Sequence, residues 1–589
     1  MLTEDGLSRA IDGYLADNKE DIAAISVAVF TKREILYENT YGYIDIAKGL
    51  ENEKDAVLEW GSVTKLLVWV SVMQLVERGQ IDLDKDIRDY LPDGFLRKLK
   101  YDEKITLVHL MNHTAGFQEA SAYFNEETDS ADLLSLEECL RLSEPMQIFR
   151  PGETSAYSNW GAALAGYIVE RVSGKPFYEY VHENIFAVLG MEHTALNADL
   201  SDNTWVQKQR QNVHCYGPEL EDMGLCISFI PAYPCGSATG TIGDLTLFAQ
   251  ALLPDDAGGS PLFDSPQTLT ALYTPTLYYP DGNTVNNRHG FWERIAYVDV
   301  FGHDGGTTGM SATLMINPTE GIGYVAFTNS FADLGSLAPM VFKSRTFPEG
   351  TTLTPEEYER FAGVYADTRG IWAGFLKADK FLGGNIIKIS SDGKTVSTDS
   401  TMWQGATIKK IEENIYLVVN EEAEFSEIVF ATFDETGTAK TIYFAGESIR
   451  VDKTTYAVES ILFALFIGSL ILSALMLIAW VVGLLRKKRF PFSKARLSVY
   501  LTTVLTLLPT VYLQSGAWVG TSYSGLVCLC LIYLLAAIVA LLYIVFLFIK
   551  WSKTETTKWE RAYLITTGIT GLIVAFNIFY WQIWMFWLY

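Results

Sequence analysis

The sequence predicts a mixed α/β (α+β) domain over residues 1–347, a small all-β domain over 348–455 and four transmembrane helices over 456–589. Three observations carry this division. Strand-like runs such as Ala24–Phe30 and Ile322–Thr328 alternate with helical ones such as Thr64–Arg78 and Trp160–Ser173 in the first part. The composition breaks at Phe347-Pro-Glu-Gly-Thr-Thr, and short runs such as Ile386–Ser390, Ile415–Val419 and Ile428–Phe433 follow, separated by turn residues such as Asp392-Gly393. Leu462–Leu485, Leu497–Val519, Leu526–Ile549 and Ala562–Leu588 are each long enough to cross ~30 Å of hydrocarbon as a helix.

Charge orients the membrane region. Arg486, Lys487, Lys488, Arg489, Lys494 and Arg496 follow the first span, and Lys550, Lys553, Lys558 and Arg561 follow the third, whereas Gly520–Ser524 carries no charge. Basic loops stay in the cytoplasm, so residues 1–456 are expected outside a multi-pass cell-membrane protein. The N-terminus, Met-Leu-Thr-Glu-Asp, lacks a basic and then apolar leader, so export is expected through a removed signal or the first transmembrane helix.

Residues 1–450 hold 34 basic and 66 acidic side chains, a formal −32. Such a surface repels nucleic acid and anionic lipid headgroups. The expected partners are membrane lipid around the apolar spans, a second copy of the chain and, from the resemblance described below, a small peptide-like substrate. Cys139, Cys215, Cys226 and Cys235 lie in the exported part, where Cys215 could pair with Cys226 or all could stay reduced. No Cys/His spacing suggests a metal, and no cofactor is expected.

The chemistry starts at Gly61-Ser62-Val63-Thr64-Lys65, which opens the apolar helix continuing to Gly79. A serine at a helix start and a lysine one turn later share a face, and a buried amine that has lost its proton can take one from the hydroxyl. An SxxK tetrapeptide alone is common. Here Tyr157-Ser158-Asn159 and His303-Asp304-Gly305-Gly306 follow in the order that serine-lysine hydrolases use. Ile105-Thr-Leu-Val-His-Leu-Met-Asn-His-Thr-Ala-Gly-Phe117, Pro151-Gly-Glu-Thr-Ser-Ala-Tyr, Gly174-Lys-Pro-Phe177 and Leu189-Gly-Met-Glu-His-Thr194 extend the match.

With these motifs the chain, over about residues 8 to 345, resembles the serine hydrolase family of class C β-lactamases, penicillin-binding proteins, D,D-carboxypeptidases, D-aminopeptidases and related esterases. The resemblance implies a β-lactamase/transpeptidase-like fold, a central antiparallel sheet flanked by helices, with a helical region between Ile81 and about Gly236. It implies that Ser62 is acylated, Lys65 takes its proton and Tyr157 assists and protonates the leaving group. Asn159 would hold the substrate amide and orient Lys65, and the N–H groups of Ser62 and Gly306 would form the oxyanion hole. His303 replaces the lysine that binds substrate carboxylates in other members, and it is the one histidine expected near the site. His109 and His113 are expected to be architectural.

Glu59, three residues before Ser62, divides evenly between a carboxylate at the mouth of the site and a salt-bridged glutamate. The C-terminal helices resemble a family branch, the membrane-anchored prodrug-activating D-peptidases of the colibactin-peptidase type, which remove an N-acyl-D-asparagine-type cap with an acidic residue at this position. That branch has three helices; this chain departs from it with four and an inserted, lipocalin-like all-β domain, read as a spacer or cover without chemistry. The leading expectation is a D-amino-acid-specific amidohydrolase. A cell-wall D,D-carboxypeptidase or esterase, and a non-catalytic membrane sensor, are the alternatives.

Overall fold

A computed structural model of the 589-residue chain describes residues 4–120, 133–227, 229–378, 386–423, 425–444, 446–486, 491–514, 523–553 and 555–585. The first part is built on a nine-stranded antiparallel sheet. Its middle is formed by Ala24–Thr31 and Ile322–Thr328, flanked by Ile35–Asp45 on one side and by Ser311–Asn317 and Phe301–Gly306 on the other. Side chains alternate across a strand, so one short run serves two cores. Ile25, Val27 and Val29 pack with Leu7 and Ile11 of the N-terminal helix Glu4–Asp17, while Ala28 and Phe30 face the larger core around Trp60 and Trp69.

The helical region inserted between the strands is centred on Lys65–Glu77. This helix is apolar on all sides, and every residue from Lys65 to Leu75 is buried. Burying each Leu or Val there is worth about 1.5–3 kcal/mol, so its first turn sits on a rigid base. Asn159–Ser173 packs against it, capped by the Ser158 hydroxyl accepting the Gly161 N–H at 3.0 Å and closed by Gly174 in the left-handed conformation.

Residues 351–450 form a second nine-stranded antiparallel sheet. Paired backbone bonds between Val396 and Ala406, 2.8 and 3.0 Å, close it on itself. Its core holds Tyr358, Tyr365, Trp403 and Tyr416.

Three described helices are long and apolar enough to cross a membrane: Lys453–Leu485, Gly525–Lys550 and Lys558–Tyr580. The expected span Leu497–Val519 is described only in part, as Ser493–Leu505 and Leu507–Gln514. Pro509 has no N–H to offer the Leu505 carbonyl, which accounts for the break at Thr506. Gly571 of the last helix lies where a Cβ would come 3.0 Å from the Ala540 Cβ, a close small-residue crossing.

Candidate active site

Ser62 stands on the tight turn Gly61–Thr64 from which the Lys65–Glu77 helix starts. That turn is fixed from two sides. The Trp60 N–H donates to the Ala238 carbonyl at 2.8 Å, and the Ala238 N–H returns to Thr64 Oγ1 at 3.1 Å. On the other side the strand Phe301–Gly306 approaches so closely that a Cβ on Gly305 would lie 1.9 Å from the Trp60 oxygen, and one on Gly61, at φ +50°, 2.6 Å from the Gly306 nitrogen. Glycine is required at both positions.

Lys65 is fully buried, and its Nζ donates to Ser62 Oγ at 2.8 Å and to the Cys235 carbonyl at 2.7 Å. The expected bond from Asn159 to Lys65 is absent among the described residues. The Cys235 carbonyl takes that place, and Asn159 lines the cavity instead. Tyr157 lies over the same amine, its ring centre 5.1 Å from Nζ. The fold thus brings Ser62, Lys65 and Tyr157 together.

The surroundings of Tyr157 revise the reading of the histidines. His113 stacks on the Tyr157 ring at 4.3 Å and accepts the Ser158 N–H on Nδ1 at 3.0 Å, so His303 is not the only histidine at the site. Burial, with Lys65 and His303 nearby, holds His113 well below the usual histidine pKa, so the ring is neutral. His303 is held down in the same way by burial and by Lys65, and its Nδ1 lies 2.5 Å from the Asp304 carbonyl. A neutral ring donating there carries an acceptor on Nε2, which is buried and has no partner among the described residues. His109 is architectural, closing a capping box with Thr106.

A cavity of about 660 Å³ opens in front of Ser62, lined by Tyr157, Asn159, His303 and Gly306 from the first sheet and its helices. Asp304, beside His303, is clamped by Arg294 through two 2.7 Å contacts. The opposite wall comes from the second sheet through Thr368, Arg369, Glu427, Tyr443 and Glu447. The segment read as a spacer or cover therefore supplies part of the site. Its residues could not be found by motif, because they become neighbours of Ser62 only when one sheet docks on the other.

Glu59 is corrected in the other direction. Its Oε1 accepts from Arg210 Nε at 2.9 Å and Nη2 at 2.8 Å, and Arg210 is 1% exposed. The pair lines a separate small cavity with Ser237 and Thr307, and Ser62 is not part of its lining. The carboxylate is neutralised rather than open to substrate. Arg210 stands 151 residues away in the chain, and nothing in its local sequence marks it as the partner.

Residues 7–340 match the beta-lactamase family. The chain belongs to that family of serine hydrolases. Among curated relatives, penicillin-binding protein 4* of Bacillus subtilis (strain 168) is 25% identical over 296 residues, 48% of this chain and 62% of that one. Penicillin-binding protein 4 of Amycolatopsis lactamdurans is 25% identical over 379 residues, 58% of this chain and 94% of the relative. The match thus spans less than two thirds of the Bacillus protein. The crystal structure of SurE with D-Leu superposes with a TM-score of 0.51 at 18% identity, covering 76% of this chain and 99% of SurE, a likeness of fold. Cys215 and Cys226, the pair that could have formed a bridge, are not joined by a disulfide.

Proposed function

We propose that the protein is a membrane-anchored serine amidohydrolase that works through an acyl-enzyme on Ser62. The observation that carries this reading is the fully buried Lys65 amine, 2.8 Å from Ser62 Oγ. Lys65 takes the hydroxyl proton as Oγ attacks the substrate carbonyl, and the proton returns to the leaving nitrogen by way of Tyr157. The N–H groups of Ser62 and Gly306 receive the oxyanion, each such donor being worth about 3 kcal/mol in related chemistry. Asn159 and His303 line the cavity in which the amide would lie. A sensor without turnover would have no use for this proton path.

The substrate class we propose is an amide on the carbonyl side of a D-residue, a reading supported by relatives named as putative D-alanyl-D-alanine carboxypeptidases. With Glu59 occupied by Arg210, recognition of an N-acyl-D-Asn prodrug cap loses the carboxylate on which it rested. The D,D-carboxypeptidase reading gains from Arg369 in the cavity, a cation that could meet a substrate carboxylate. Comparing kcat/KM for an N-acyl-D-Asn amide, its L-epimer and an acyl-D-Ala-D-Ala peptide decides between them. Labelling by a fluorophosphonate at Ser62, lost in Ser62→Ala, tests the nucleophile; labelling that persists in Ser62→Ala removes the assignment. The basic loops after the first and third expected spans support an extracytoplasmic catalytic domain.

A further inference from the structure

The cavity in front of Ser62 carries an uneven set of charges. Both guanidinium groups on its lining are engaged: Arg294 clamps Asp304, and the Arg369 Nε donates to Glu119 at 2.9 Å. Glu293 is matched by Arg288 at 2.9 Å and Arg345 at 3.6 Å, and the Lys65 amine is held by Ser62 and the Cys235 carbonyl. Three carboxylates of the opposite wall, Asp367, Glu427 and Glu447, form no ion pair among the described residues. They stand on the strands Gly363–Asp367, Phe425–Phe433 and Glu447–Arg450 of the second sheet, outside the residues that match the family. Burial pushes the Glu427 and Glu447 carboxyls up to about 7, the direction expected of acids without a counter-charge.

A second observation does not depend on the carboxylates. Two neutral acceptors on the same lining are buried with no partner among the described residues: Asn286, 6% exposed, on Oδ1, and His303, 4% exposed, on Nε2. Tyr279, Tyr443 and Trp292 add aromatic rings, whose π-faces attract a cation. Negative charge and acceptors are left over on this lining, so the group that complements it is a positively charged donor.

We propose that the second sheet provides a subsite for a protonated amine on the substrate, with Glu427 and Glu447 as its specificity-determining carboxylates. The inference rests on the hydrolase reading above and adds one feature to the substrate, a primary ammonium set back from the scissile amide. An ammonium has three donors and no acceptor, so it can satisfy carboxylate and amide oxygens together. It also offsets the cost of holding uncompensated carboxylates in a partly buried wall. Ser62 and these acids lie on opposite sides of the cavity, so the reacting carbonyl and the amine are held from different walls.

The test uses the full chain in detergent or nanodiscs and two series of alkyl fluorophosphonates, identical except that one ends in a primary amine and the other in its acetamide. The quantity read is the ratio of the rate constants for labelling Ser62, amine over acetamide, at each chain length. At the best length the ratio should be about ten or more. Glu427→Gln and Glu447→Gln should each lower it by about threefold or more, whatever the absolute rates. Asp256→Asn, which removes a carboxylate from the exposed surface, should leave it unchanged. A wild-type ratio near unity at every length overturns the subsite, as does a ratio unmoved in both glutamate variants. A ratio that falls as far in Asp256→Asn assigns the preference to overall negative charge and overturns it equally. A wild type that neither series labels at Ser62 takes down the hydrolase reading instead, so the two failures are distinguishable.

Discussion

The wall of the cavity that carries Ser62 and the wall that carries Arg369 hold their polar groups in different ways. Around Ser62, the fully buried Lys65 one turn along the same helix start has fixed bonds to Ser62 Oγ and to the Cys235 carbonyl, and the strand Phe301–Gly306 packs on that turn. Opposite, Thr368, Arg369 and Glu447 hang from a separate sheet that meets the first part through specific contacts. These include the Ser155 N–H to Glu447 at 2.8 Å, the Tyr279 ring stacked on Phe430 at 4.1 Å, and the Ala373 N–H to Gln118 Oε1 at 2.9 Å. The Ser62 and Lys65 contact is built within one helical turn, whereas the groups of the opposite wall reach the cavity only when one sheet docks on the other.

Lys65→Ala breaks the first wall most directly. Loss of a positioned base should cut acylation of Ser62 by about 10²- to 10⁴-fold, read as the labelling rate per folded molecule. A drop under tenfold would mean that another group serves as base. Arg210→Ala sharpens the same wall from behind. Leaving Glu59 without its buried partner should cost about 3 kcal/mol in unfolding free energy while the labelling rate per folded molecule holds. Unchanged stability with impaired turnover would return Glu59 to the site.

The second wall should respond to pH. Burial pushes the Glu447 pKa from 4.5 to about 7, against the pull of the Ser155 N–H. The folded contact thus prefers the protonated acid, so the stability this group contributes is greatest below about pH 4.5 and is lost as pH rises to 7. At about 1.4 kcal/mol per pKa unit the change is of order 1–3 kcal/mol. Limited proteolysis between the two sheets should accelerate across that window in the wild type, and Glu447→Gln should flatten the response. The smallest effect is expected for Tyr279→Ala, which removes a stacked pair worth about 0.5–1.5 kcal/mol and should loosen docking without moving the Ser62 labelling rate.

The membrane polar residues show the same limit on local reasoning. Asn577 and Gln582 suggest bonds between helices, yet Asn577 bonds within its own helix, to the Ile573 carbonyl and Trp581 Nε1, and Gln582 accepts the Gly374 N–H.

By itself the sequence determined what depends on short spacing: the Ser62 and Lys65 pair one helical turn apart, the Tyr157 motif at a helix start, the glycines of the His303 strand and the long apolar spans. These are legible because periodicity and motif report on neighbours within a turn or a strand. Tertiary structure decided which charges meet: Glu59 with Arg210, Lys65 with the Cys235 carbonyl, His113 with Tyr157, and Arg369 with Glu119 beside the nucleophile. A backbone carbonyl has no residue signature, and an ion pair between distant segments leaves no local pattern, because its energy depends on distance and burial that exist only once the chain has folded.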